Sequence, residues 1–281
     1  TDRALGGLQS GTVIPTIGAA FTNNTGLTLT SLLVSYFGEQ WRNGGANAID
    51  TLDFQISTNA TSLTTGTWTD VNALDFNSPI VSAVAAALDG NLAANRTAVS
   101  SEITGLTLAS GATIWIRWTD FNVAGSNAGL AIDDFSITAR SLTAAADAGT
   151  VAENATITNG NLFANDASLG GAPALLIASA MSGATALMLG TPFTTASGGS
   201  LTVNANGTYS YNPNGAFNYL IDAATAAATG ATNTSATETF TYTLTGASSA
   251  LQTATVTVTI NGVAGAGDQL RGGAGNDTIN G

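Results

Sequence analysis

Cysteine, histidine and lysine are all missing from this chain, whose six basic residues are all arginine. These absences exclude much of enzymology. A thiol nucleophile, a Ser-His-Asp relay, a Schiff-base lysine, a His or Cys zinc site and a P-loop lysine each need a residue type that is not present. Without cysteine there is no disulfide framework, so stability must come from large cores or bound metal. No apolar run approaches the roughly 18 residues of a membrane span, and no secretory signal pattern starts at Thr1. No membrane insertion is expected, and any export signal is expected to lie outside the sequence.

Charge is scarce and one-sided. The net charge of −12 argues against nucleic acid as a partner, because neutralising phosphates takes clustered Lys or Arg. It suits a hard cation instead. The richness in Thr, Ala, Gly and Asn is compatible with disorder, but 44% of residues are hydrophobic and they recur with period two, as half-buried strands require.

At 281 residues the prior is about two domains, and composition places the division near residue 141. Trp41, Trp68, Trp115, Trp118 and five of the six arginines precede that point, whereas residues 141–263 contain no basic residue. The stretches 27–37, 51–58, 101–108, 113–120 and 129–139 each alternate apolar with polar residues and read as strands. The Ala-rich piece IVSAVAAAL (80–88) is compatible with a short helix or a loop beside a strand. Beyond 141, LTVNANGTYSY (201–211) reads as a hairpin turning at Asn206-Gly207, with Leu201, Val203 and Ala205 on one face. Strands 238–246 and 254–262 follow, and the Ala/Thr stretch 223–237 reads as a long polar loop. The fold class is all-β: a jelly-roll-like β-sandwich over 1–140, an Ig-like β-sandwich of about seven strands over 141–263, and a short Gly/Asp-rich tail over 264–281.

Only carboxylates, hydroxyls and backbone groups remain for chemistry. Asp133 and Asp134 are adjacent on a strand, so alternation directs one of them inward, where a buried carboxylate needs a partner. Calcium shared with Glu39 or Asp120 is one candidate, and Arg117 or Arg42 is the other. A glycosidase acid/base pair needs only two carboxylates, but no cleft is evident around these. On the 113–120 strand Trp118 shares the face of Ile114 and Ile116, the core side. Trp115 then points outward beside Arg117, which makes this pair the candidate glycan contact.

Three resemblances are carried by particular stretches. The last ten residues contain GGAGNDTIN (272–280), which fits the nonapeptide GGxGxDxUx and resembles the calcium-binding repeat of RTX proteins. Nine residues earlier, 263–271 keeps Asp268 and Leu270 in phase with Asp277 and Ile279, as a degenerate leading turn. The resemblance implies calcium at Asp268 and Asp277, with the tail a truncated repeat. The stretches VAEN (151–154), NLFANDASLGG (161–171), LTVNANGTYSYNPNGAF (201–217) and TETFTYTLTG (238–246) are similar to bacterial cadherin-like and VCBS-type Ig repeats. That likeness implies calcium ligands at Glu153, Asn165 and Asp166. The family's Asp-Gly after the FTYTLT-type strand is replaced here by Gly246-Ala247. The first domain, through YFGEQWRNGG (36–45), IWIRWTD (114–120) and GLAIDDFSITA (129–139), looks like a jelly-roll module of secreted bacterial proteins. A structural calcium is common in such modules.

Together these resemblances imply a non-catalytic, extracellular, calcium-associated structural or adhesive protein exported by a type I system, and a subunit of a surface layer, filament or biofilm matrix. Its partners would be copies of itself, other surface proteins or surface glycans. The alternative is a glycan-binding accessory module of a larger secreted hydrolase or nuclease.

Overall fold

The computed structural model describes residues 3–171 and 173–265. The chain divides into two compact units between Ser141 and Leu142. No helix among the described residues is long and apolar enough to cross a membrane.

The first unit is built from β1 (Leu5–Leu8), β2 (Thr16–Thr22), β3 (Ser31–Asn43), β4 (Thr51–Ser57), the two-residue pieces β5 (Thr69–Asp70), β6 (Phe76–Asn77) and β7 (Ala86–Ala87), and then β8 (Arg96–Ile103), β9 (Thr113–Asp120) and β10 (Gly129–Thr143). One sheet runs β1-β10-β3, with β7 and β8 both on β3; the other runs β2-β9-β4, with β5 and β6 on β4. Consecutive long strands alternate between the sheets, and first pairs with last. That is the jelly-roll path.

Strict alternation makes the core. On β9, Ile114, Ile116 and Trp118 point inward, and on β4 Leu52, Phe54 and Ile56 do so. Trp118, 3% exposed, is met edge-on by Tyr36, Phe54 and Phe135 at ring-centroid distances of 5.2, 5.0 and 5.5 Å. Gly38 on β3 is required by this packing, since a Cβ there would lie 2.1 Å from the Phe76 ring.

The Ala-rich stretch 80–88 is a loop carrying β7 and forms no helix. Side chains of β3 take the backbone groups that a helix would satisfy internally. Gln40 donates to the Ile80 carbonyl at 3.0 Å and accepts from its amide at 2.8 Å, and Asn43 donates to the Val84 carbonyl at 2.6 Å.

The second unit contains β11 (Asp147–Ala152), β12 (Ile157–Asn161), β13 (Ala167–Leu169), β14 (Leu176–Ser182), β15 (Thr185–Leu187), β16 (Phe193–Thr194), β17 (Ser200–Val203), β18 (Thr208–Asn212), α1 (Ala223–Thr229), β19 (Ser235–Thr245) and β20 (Gln252–Asn261). Sheets β11-β20-β19-β14-β15 and β12-β18-β17-β16 enclose a core of Leu201, Tyr211, Phe240, Tyr242, Leu244, Val256, Val258 and Ile260. The first strand lies parallel to the last, Asp147 opposite Val256, and all other pairings in these sheets are antiparallel. The expected hairpin is β17–β18, with Gly207 at φ +80° in its turn; Leu201 and Val203 are buried, while Ala205 is exposed at the turn.

The stretch 223–237 corrects the loop expected there, because its first half is helix α1. Asp222 caps it, accepting from the Ala224 and Thr225 amides at 3.0 Å, and Gly230 closes it in the left-handed conformation. Both are ordinary boundary signals.

Candidate functional site

The paired aspartates of β10 do not obey alternation. The register slips between Asp133 and Ser136, and Asp134 takes φ +50°. This β-bulge inserts one residue, so Ile132 and Phe135 both reach the core while neither aspartate does. Asp133 lies opposite Phe37 on the outer face, and the Asp134 side chain is 67% exposed. The expectation that one of the two is buried is therefore corrected.

A buried carboxylate does stand on that outer face. Glu39, 0% exposed, accepts from the Trp41 indole at 3.1 Å and lies 3.9 Å from Arg96, whose guanidinium also lies 3.5 Å from Asp134 and 3.8 Å above the Phe37 ring. Arg96, and neither Arg117 nor Arg42, is the cation beside Asp134. Arg96 on β8 faces Glu39 on β3 across the strand pairing, between residues far apart in the chain. Arg96→Ala should cost about 1–3 kcal/mol, because it leaves Glu39 buried without its cation. Urea unfolding measures this, and Asp134→Ala, which removes only an exposed partner, should change stability much less.

Arg42 and Arg117 are engaged elsewhere. Arg42 donates to the Asn127 carbonyl at 2.6 Å. Arg117 donates to Gln55 Oε1 at 2.7 Å and to the Leu63 carbonyl at 2.6 Å, with the Trp68 ring stacked 4.0 Å from its guanidinium. It thereby holds the 58–68 loop against the outer face of the sheet. Trp115 is half-buried on that same face. An open groove of about 490 Å³ lies instead beside Trp41, walled by Arg3, Gly6, Gly7 and Leu130.

Asp120 stands apart from Glu39, Asp133 and Asp134. It ends β9 on the core face, 0% exposed, and burial with the nearby charge of Asp50 pushes its pKa up to about 7, against the opposing pull of the Gln9 amide. Asp50 was not singled out in the sequence, although extending the alternation of β4 backward from Leu52 places it on the core face. It is 2% exposed, and burial raises its pKa against the pull of the Ala128 and Thr51 amides.

In the second unit the expected ligands fall in two places. Asp166 accepts from the Ala145 amide at 2.8 Å, and its other oxygen meets the Tyr242 hydroxyl at 2.8 Å. The same hydroxyl lies 2.8 Å from Asp147 Oδ2 and 3.2 Å from the Leu162 carbonyl. Asn165 donates to the Ala146 carbonyl. Glu153 follows the far end of β11, which separates it from Asp147 by roughly 20 Å at the rise of an extended strand. Glu153 is 1% exposed; it accepts from the Val263 amide at 3.1 Å through Oε1, while Oε2 has no hydrogen-bond partner. A phenol thus occupies the position between Asp147 and Asp166.

Among the described residues no group of three or more acidic side chains is placed to hold a metal. Asp268 and Asp277, and the RTX-like nonapeptide with them, lie outside the described residues.

Residues 141–262 match the family model described as bacterial cadherin-like domain, and nearly all of that match lies in the second unit. No curated protein matches the chain.

Proposed function

We propose that this is a non-catalytic adhesive or structural protein of the bacterial cell surface, exported by a type I system and associated with calcium. The observation that carries the reading is the cadherin-like sandwich of the second unit. The chemistry of the chain agrees with it. Without His, Cys or Lys, Glu39 is held by Arg96, Asp50 by backbone amides and Asp166 by Tyr242.

Assembly into a layer, filament or matrix has a physical route in β2. Among the described residues this seven-residue strand pairs only with β9, and its sequence TIGAAFT contains no charged residue and no proline, the devices that normally protect a sheet edge. An open row of backbone donors and acceptors can add a strand from a neighbouring chain.

Beads coated with the full chain test adhesion. They should cluster in calcium and disperse in chelator, and beads that remain dispersed in both would count against the proposal. The second reading, a glycan-binding accessory module, is favoured by the groove beside Trp41. On that reading a soluble sugar abolishes clustering, and so does Trp41→Ala.

A further inference from the structure

We infer that the first unit holds a hard divalent cation, calcium being the probe of choice, between Asp120 and Asp50 where β9 ends and β4 begins. The inference deepens the calcium part of the reading above and is independent of its adhesive part.

Register places both carboxylates on the core face. Asp120 lies directly opposite Leu52, and Asp50 precedes Leu52 by one full strand period, so both side chains enter the end of the space between the sheets. Both are more than nine-tenths buried. Neither has an arginine: the ion pairs among the described residues engage Glu39, Asp134 and Glu102. Asp50 accepts from the Thr51 amide at 3.0 Å and from the Ala128 amide at 2.7 Å. Asp120 accepts from the Gln9 amide at 3.2 Å through Oδ2, and its Oδ1, fully buried, has no hydrogen-bond partner.

Two buried anions with one orphaned oxygen are costly unless something neutralises them. A proton on Asp120 removes one charge only. A cation removes the repulsion and occupies the orphaned lone pairs together. Calcium takes about six to eight oxygens in all, adding neutral amide and carbonyl oxygens to its carboxylates. Asn127 ties the adjoining segments together, donating to Gln9 Oε1 at 2.5 Å and to Asn122 Oδ1 at 3.3 Å, while its own Oδ1 accepts from the Val123 amide. A cavity of about 250 Å³ opens beside Asp50, walled also by Asp53, Phe121, Asn122 and Val123.

Terbium luminescence on the full chain tests the site. All four tryptophans lie in the first unit, and Trp118 is two residues from Asp120 on the same face. Selective excitation of tryptophan should therefore produce terbium emission that calcium displaces. Asp120→Asn and Asp50→Asn should each weaken it by roughly tenfold or more, whereas Glu153→Gln should leave it intact. Trp118→Phe, which keeps both carboxylates, should lose the emission while retaining the calcium-induced rise in Tm; this variant decides the matter if either Asp→Asn chain fails to fold. Emission unchanged in folded Asp120→Asn, or persisting in Trp118→Phe, would overturn the site while leaving calcium elsewhere in the chain possible. No emission, with wild-type Tm equal in calcium and chelator, would overturn the site and the calcium part of the proposed function together. Bead clustering would still be judged separately.

Discussion

Trp118→Ala should cost the first unit about 3–5 kcal/mol, the range for removing a large aromatic from a packed core. The cause is the number of neighbours that lose a surface at once: Tyr36, Phe54 and Phe135 all meet this ring edge-on within 5.5 Å. Trp118→Phe keeps a ring in place, so its cost should be much smaller. Trp115→Ala, on the half-buried outer face of the same strand, should also cost less. Urea unfolding of the three variants decides it. Equal losses for Trp115→Ala and Trp118→Ala would mean that the sheet is not packed in this register.

Tyr242→Phe should destabilise the second unit by about 1–3 kcal/mol at mildly alkaline pH, because it removes the donor from between two carboxylates. The loss should depend on pH. Burial raises the Asp147 pKa above its ordinary 3.8, the Tyr242 hydrogen bond partly opposes that rise, and the charge of Asp166 adds to it. With a raised folded pKa, the proton-linked stability from Asp147 is fully present below the unfolded value. It is lost as pH rises through the folded one. Removing the hydroxyl raises the folded pKa further, so the penalty of Tyr242→Phe grows from about pH 4 upward and is smallest in acid. Chemical denaturation at a series of pH values measures this, and a penalty independent of pH would show that the hydroxyl does not face these carboxylates.

Where apolar and polar residues alternate without interruption, the sequence is enough. The strand expected at 113–120 is β9 from end to end, and the inward direction of Trp118 follows from its neighbours Ile114 and Ile116. The same rule fails at Asp133-Asp134, since a bulge shifts the period and leaves no mark in the residue types. Helix α1 escapes notice for a different reason. Its Ala and Thr residues carry no apolar stripe, although Asp222 and Gly230 stand at its two ends as cap and stop. The candidate sites were legible as residue types but not as constellations. Glu39 and Asp120 stand in the sequence as candidate calcium ligands beside Asp133-Asp134, yet the groups that face them, Arg96 across β8 and Asp50 before β4, are set by strand register. Extending a known alternation by one period would have found Asp50; nothing comparable would have found Arg96.

Sedimentation velocity of the full chain tests the adhesive and structural assignment most directly. It should give a monomer in chelator and, in calcium, larger assemblies that Ala20→Lys on the exposed edge strand β2 disperses. A chain that stays monomeric in calcium at high concentration would contradict assembly as its function.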